Sequence, residues 1–234
     1  MNDIETFEAF LIINPKYYKI SVHNSSDSKI IYEQKKIINN DLSDINFSKL
    51  KDFLEENIFK IEKVLGNFIK DIILIIDFDI FFKVQISVKK NNTTNKANSN
   101  DLNYLLNETK DLCKETMNGK KIVHMLIDNY QIDNKNYSNL PKDIKYNYLS
   151  LDVSFICLSN DVAKSLEKTL KNFQVSIAQM ISANYIKNFF SKESHDYVVL
   201  TKKLLEGCNQ NEVVLVKKTQ KIQGFFEKFF HLYS

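Results

Sequence analysis

The chain has 234 residues and a mass of 27.4 kDa, enough for one large domain or two small ones. Its 44% hydrophobic, 26% charged and 12% aromatic content is that of a folded globular protein and excludes wholesale disorder or a fibrous repeat. Lys and Arg outnumber Asp and Glu by 32 to 29, a net charge of +3 spread along the chain. Every basic residue is lysine, so two-pronged arginine recognition of phosphate or guanine is absent, and no nucleic-acid partner is predicted.

Four glycines, Gly66, Gly119, Gly207 and Gly224, are too scattered to build a phosphate loop, which excludes dinucleotide and P-loop fingerprints. Cys113, Cys157 and Cys208 are odd in number, with no C-x-x-C pairing, which suits a reducing cytosol better than a disulfide framework or a zinc knuckle. The first nine residues carry Asp3, Glu5 and Glu8 in place of a basic segment, so no secretory signal is expected. No run reaches the roughly 18 apolar residues of a spanning helix, and any membrane contact is expected to be peripheral.

In chain order, Phe10 to Ile13, Tyr18 to Val22 and Lys29 to Ile38 read as three strands, rich in β-branched and aromatic residues between polar turns. Phe47, Leu50, Phe53, Leu54, Ile58, Ile61 and Leu65 then recur at helical spacing, with Asp44 or Asn46 as the cap. Asp71 to Asp77 holds a continuous Ile/Leu run over Ile72 to Ile76, read as a strand buried on both faces, and Val84, Ile86 and Val88 alternate with polar residues in another. Residues 91–100 form a polar tract read as a linker. Beyond it the pattern is helix from Asp101 to Met117, strand from Ile122 to Ile132, a polar loop from Lys135 to Asp143 and strand from Tyr146 to Leu158. A helix carrying Val162, Leu166, Leu170 and Phe173, capped by Ser159 or Asn160, and a strand from Val175 to Ile181 complete the unit. A further helix spans Tyr197 to Leu205, and a short extended piece spans Val213 to Val216. This alternation predicts an α+β layer.

The order of elements and several strings resemble the N-terminal half of the FtsA family, the actin-like membrane tethers of bacterial cell division, from about Phe10 to Tyr185. The stretch from Asn118 through Gly119, Lys120, Lys121, Ile122 and Val123 to His124, with Asp128 to Asp133 and Leu140-Pro141, resembles a segment of that family's inserted 1C subdomain. Tyr148 to Phe155 and the helix from Asn160 to Phe173 resemble its next strand and helix, and Val175 to Tyr185 its closing strand and corner. Where the family has its first phosphate loop, this chain reads Asn14-Pro15-Lys16-Tyr17-Tyr18-Lys19-Ile20. Lys19 and Ile20 are kept, while Asn14 replaces the metal-coordinating Asp and Lys16 the phosphate-approaching Gly. Bulk at such a loop blocks backbone approach, and Mg²⁺ prefers a carboxylate to an amide. The resemblance implies a degenerate phosphate loop at Asn14, Lys16 and Lys19, with no second loop beyond Tyr185, no cofactor and no catalysis.

The last segment places Ile222, Phe225, Phe226, Phe229, Phe230, Leu232 and Tyr233 within an arc of roughly 160° at about 100° per residue, flanked by Lys217, Lys218, Lys221 and Lys228. Such a helix can bury its aromatic side in the headgroup layer while each lysine gains about 1 kcal/mol from anionic lipid. It also resembles the membrane-targeting helix of the FtsA family. A helix docked on the protein's own core would carry the same stripe.

His23, His124, His195 and His231 share no metal-ligand spacing, and His124 is expected to be a strand residue packed beside Met125. Asp77 and Asp79 could pair as carboxylates but read as solvated turn acids, and neither Ser154 nor Ser159 sits in a G-x-S-x-G turn. The lysine pairs at 35–36, 89–90 and 202–203 are expected to be solvated.

The expected organisation is a partial actin-like (ribonuclease H-like) lobe at 1–90, a linker at 91–100, a 1C-like subdomain at 101–186, a connecting tail at 187–216 and an amphipathic helix at 217–234. The resemblance implies a non-catalytic scaffold, cytoplasmic and peripheral on the inner face of the membrane. Its partners would be division proteins and its own 1C-like surface. A small actin-like nucleotide-binding protein, or a pilus or secretion assembly adaptor, is the alternative.

Overall fold

The computed structural model describes residues 6–38, 44–91, 99–139, 146–191 and 196–213. Its elements, in order, are β1 (Phe7–Asn14), β2 (Tyr17–Asn24), β3 (Ile30–Ile37), α1 (Phe47–Leu65), β4 (Asp71–Ile76) and β5 (Phe81–Asn91). They continue as α2 (Ser99–Thr116), β6 (Lys120–Ile132), β7 (Lys135–Tyr137), β8 (Tyr148–Ser159), α3 (Asn160–Lys171), β9 (Ser176–Ser182), α4 (Ala183–Phe189) and α5 (Tyr197–Leu205).

Two sheets result. The first has the order β3-β2-β1-β4-β9, with β1, β2 and β3 an antiparallel meander and β1, β4 and β9 parallel to one another. The second, β5-β8-β6-β7, is antiparallel throughout. The molecule is therefore α+β. The order and directions of the first sheet are those of an actin-like, ribonuclease H-like lobe, with the second sheet inserted between β4 and α3.

The central strand β1 is buried on both faces from Ala9 to Ile13, which is why that stretch reads as an unbroken apolar run rather than an alternation. Leu11 and Ile13 face the core under α1 and α3, where they join Tyr18, Phe53, Leu54 and Leu166. Phe10 and Ile12, one residue out of phase, face the opposite layer with Ile181, Ile186 and Leu200 of β9, α4 and α5. A third cluster, including Leu105, Met125, Val153 and Phe155, fills the space between α2 and the second sheet.

Local signals place the helix ends. Asn46 rather than Asp44 caps α1, its side chain accepting the Lys49 N–H at 3.0 Å, and Gly66 ends the helix at φ 63°, where a side chain would be strained. Ser159 precedes α3 without a side-chain capping bond. Asp196 caps α5 by accepting the Val198 N–H at 2.8 Å.

Three expectations need correcting. The tract at 91–100 does not separate the two layers, because β5 before it pairs along its whole length with β8, and α3 and β9 return to the first lobe. The alternation of Val84, Ile86 and Val88 suits a half-buried strand in either sheet, so sequence alone could not assign β5. The stretch from Lys135 opens with a short strand, β7, and the corner after Ser182 is the helix α4. Among the described residues no helix is long and apolar enough to cross a membrane.

Candidate functional site

The parallel strands β1, β4 and β9 end at one edge, with Ile13 beside Ile76 and Ile76 beside Ser182. Sheets of this kind bind ligands at that edge, where strand ends and helix starts leave a crevice. Here the edge is occupied by side chains bonded to one another. Asn14, closing β1, donates from Nδ2 to Asp77 Oδ2 at 2.6 Å, and its Oδ1 accepts the Lys16 N–H at 2.9 Å. Asp77 follows β4 directly, and its own N–H donates to the Ile13 carbonyl at 2.8 Å.

Two helices reach the same carboxylate. Lys187 of α4 lies 2.7 Å from Asp77 Oδ1, and the Tyr197 hydroxyl at the start of α5 donates to Oδ2 at 2.7 Å. The Asp77 side chain is only 11% exposed, so it is no solvated turn acid. The expectation failed because its partners lie 63, 110 and 120 residues away in sequence. Burial pushes the Tyr197 phenol far above its usual range, and the hydrogen bond to Asp77 adds to the rise. Tyr17 is raised by burial first and by the Asp77 charge second, with Lys187 partly offsetting both. Lys35 lies 4.1 Å over the Tyr17 ring.

The structure brings Asn14 and Lys16 together but not Lys19, which pairs with Glu33 of β3 at 2.8 Å. A magnesium-bound phosphate needs free oxygen ligands and room for its anion. Asn14 and Asp77 spend their polar atoms on each other, on the loop backbone and on α4 and α5, so these residues do not fit Mg-ATP. The membrane-binding set, Ile222, Phe225, Phe226, Phe229, Phe230, Leu232 and Tyr233 with Lys217, Lys218, Lys221 and Lys228, lies outside the described residues. Several lysines expected to be solvated have partners: Lys36 pairs with Glu56, Lys90 with Asp101, and Lys202 with Glu8.

A second polar cluster joins the two sheets. His124 of β6 is buried, and its Nε2 accepts the Ser182 N–H at 3.1 Å, so Nδ1 carries the proton and donates to Glu212 Oε1 at 2.7 Å. The Tyr185 hydroxyl of α4 donates to Glu212 Oε2 at 2.8 Å and accepts from Asn209 Nδ2 at 2.7 Å. Burial raises the Tyr185 phenol well above its ordinary value, and the Glu212 charge raises it further against the opposing Asn209 bond. Beside this cluster, β6, β9, α5 and the tail line a cleft of about 280 Å³. Sequence reading placed His124 on a strand but missed Glu212, because nothing at a separation of 88 residues ties the two. Cys113 and Cys157 lie 3.9 Å apart in the second core, where burial pushes Cys157 up to about 12 and leaves it a poor nucleophile.

No family model and no curated protein matches the chain. Solved structures similar to it include the cytoplasmic domain of EpsL, an inner membrane component of the type II secretion system of Vibrio cholerae, at 9% identity and TM-score 0.36, covering 77% of this chain and 57% of that one. The PilM–PilN type IV pilus biogenesis complex is similar at 7% identity and TM-score 0.43, with 79% and 49% covered. A Bacteroides thetaiotaomicron protein described as having an actin-like ATPase fold and unknown function is similar at 15% identity and TM-score 0.37, with 81% and 58% covered. The chain thus spans between 49% and 58% of the length of these three, none of which is FtsA. At such scores the likenesses add nothing to the argument, and the fold stands on the strand order and directions given above.

Proposed function

We propose that this chain is a non-catalytic scaffold of a membrane-associated protein assembly, working through protein–protein contacts rather than nucleotide turnover. The observation that supports this reading is the set of bonds among Asn14, Asp77, Lys187 and Tyr197, which takes up the strand-end crevice where an actin-type lobe would hold phosphate. The membrane arm of the proposal rests on the sequence of residues 217–234, with its aromatic stripe and flanking lysines. Within this proposal an adaptor of pilus or secretion assembly and a division-site scaffold like FtsA are the two settings to be separated.

Calorimetry with Mg-ATP is expected to show no heat of binding. Micromolar affinity with phosphate release would replace the scaffold by the nucleotide-binding alternative. Co-purification from native membranes separates the two settings, since recovery of division proteins supports one and recovery of pilus or secretion components the other. A protein that stays in the soluble fraction, and that ignores anionic vesicles, would remove the membrane arm.

A further inference from the structure

The first sheet ends at β3, which pairs with β2 on one side and, among the described residues, with no strand on the other. Which backbone groups face that open side follows from the ladder. The Ile38 N–H donates to the Lys16 carbonyl at 2.7 Å, one step beyond the Tyr17–Ile37 pair. Antiparallel partners bond at every second residue, so Ile38, Lys36, Gln34 and Tyr32 turn their backbone groups to β2, while Ile37, Lys35 and Glu33 turn theirs outward. The register shift at Val22 and His23 leaves Ile31 as a bulge, which ends the regular stretch. The outward Lys35 carbonyl meets the Gln34 side-chain amide at 3.5 Å, a long bond that a backbone donor would displace.

The side chains of this edge alternate as its backbone does. Tyr32 and Lys36 reach α1, where the Tyr32 hydroxyl donates to Asn57 at 2.7 Å and Lys36 pairs with Glu56. Glu33 and Lys35 lie on the other face, Glu33 beside Lys19 at 2.8 Å and Lys35 over the Tyr17 ring. Glu33, Gln34 and Lys35 are exposed, and so are Ile30 and Ile37, at 53% and 66%. An open strand edge is a template for another strand.

The charges choose among the strands that could fill it. A second β3 laid antiparallel about a two-fold axis at Glu33 sets carboxylate against carboxylate, and an axis at Lys35 sets ammonium against ammonium. Axes at Tyr32 or Lys36 give Glu33 no basic partner. An axis at Gln34 places Glu33 of each copy opposite Lys35 of the other, and both are outward residues, so each such pair exchanges two backbone hydrogen bonds. The same axis brings Ile37 of each copy to the Ile30–Ile31 end of the other. The edge strand of the second sheet, β5, has no equivalent register, because its Lys83, Lys89 and Lys90 come with no acid.

We infer that the β3 edge is a self-association surface whose occupant is a second copy of this chain, its β3 laid antiparallel with Glu33 opposite Lys35 and the two-fold axis at Gln34. A surface that complements itself about one axis closes a pair rather than starting a filament. The two five-stranded sheets then run on as one. A contact built on one strand is small, so the pair is weak and reversible. It goes beyond the scaffold reading and does not rest on it.

Sedimentation velocity of the full chain in lipid-free buffer, over a concentration series up to about 1 mM, tests it. The wild-type chain is expected to shift from monomer to dimer along the series. Glu33→Lys and Lys35→Glu each set like charges opposite one another twice, and each alone is expected to associate about tenfold more weakly or worse. Mixed in equal amounts, the two variants are expected to pair as the wild type does, because the two lysines of one then face the two carboxylates of the other. Amide exchange gives a readout without substitution: at Glu33, Lys35 and Ile37 it is expected to slow about tenfold once about nine-tenths of the chains are paired, and to change less at Gln34 and Lys36, already bonded to β2. A wild type monomeric throughout, single variants that dimerise like the wild type, or a folded mixture that stays monomeric would overturn the inference. Should a variant fail to fold, unchanged exchange at the three outward amides of a dimeric wild type overturns it alone.

Discussion

Replacing Asp77 with Ala tests whether the strand-end cluster holds α4 and α5 on the sheet. The carboxylate accepts from Asn14 Nδ2 at 2.6 Å and from the Tyr197 hydroxyl at 2.7 Å, both part-buried. Hydrogen bonds to a charged group contribute about 1.5–3 kcal/mol each, so these two account for about 3–6 kcal/mol before the cost of desolvating the carboxylate is returned. Lys187 is 44% exposed and finds water when Asp77 is gone, so its ion pair adds at most about 1 kcal/mol. A net loss of about 2–4 kcal/mol is expected, a large part of a domain's usual stability. Urea unfolding should show a lower midpoint with an unchanged slope, since the surface exposed on unfolding stays the same. The same variant has a second readout. The hydrogen bond to Asp77 and its charge stand behind burial as causes of the raised Tyr197 phenol, so the tyrosine should titrate at lower pH once Asp77 is removed. A loss below about 0.5 kcal/mol, within the range of ordinary surface changes, with Tyr197 titrating as before, would refute the reasoning.

Asn14→Asp would set a second carboxylate against Asp77 where an amide now donates, raising one acid above the usual range and costing about 1–3 kcal/mol at neutral pH. A raised carboxylate contributes fully below its unfolded value and loses ground as pH rises, so the deficit against wild type should be smaller at pH 4 than at pH 7 in thermal melts. His124→Ala leaves the Ser182 N–H without its acceptor and is expected to cost about 1–3 kcal/mol; equal stability by urea unfolding would count against the buried junction. Tyr185 and Tyr197 are both raised in the folded protein above the usual tyrosine value of 10.0, so their contribution is present below pH 10 and falls as pH rises beyond it. Tyr197→Phe should therefore lose stability less steeply than wild type between pH 10 and 11.

The elements were largely legible from the residues, because their periods are strong. The buried strands β1 and β4 show as apolar runs over Ala9 to Ile13 and Ile72 to Ile76, and α1 shows as seven apolar residues at helical spacing. What did not show was sheet membership. A strand like β5 has the same half-buried alternation whichever sheet it joins, and the polar tract after it looks like a linker although it connects two elements of one layer. Asn14 and Lys16 stand out locally, as side chains where a phosphate loop would bring its backbone close. The partners of Asp77 do not, because Lys187 and Tyr197 carry no local mark of their role. Asp77 carried a faint one, an acid directly after a buried parallel strand.

The two polar clusters meet in α4, although that helix has only seven residues. Ser182 ends β9, caps the helix by accepting the Tyr185 N–H and gives its own N–H to His124 of the second sheet. Tyr185 binds Glu212 of the tail, and two residues on, Lys187 binds Asp77 at the end of β4. Isolated helices of this length are marginal in water, so these contacts and the burial of Ile186 hold it. The consequence is that the strand-end crevice and the junction between sheets depend on one short element. A ligand in this crevice would have to displace the Lys187 and Tyr197 side chains, and with them the hold of α4 and α5 on Asp77. Here the same helix fastens the second sheet and the tail, so releasing it would loosen the joint between the two layers. That coupling suits a rigid part that presents surfaces to partners better than one that opens around a nucleotide.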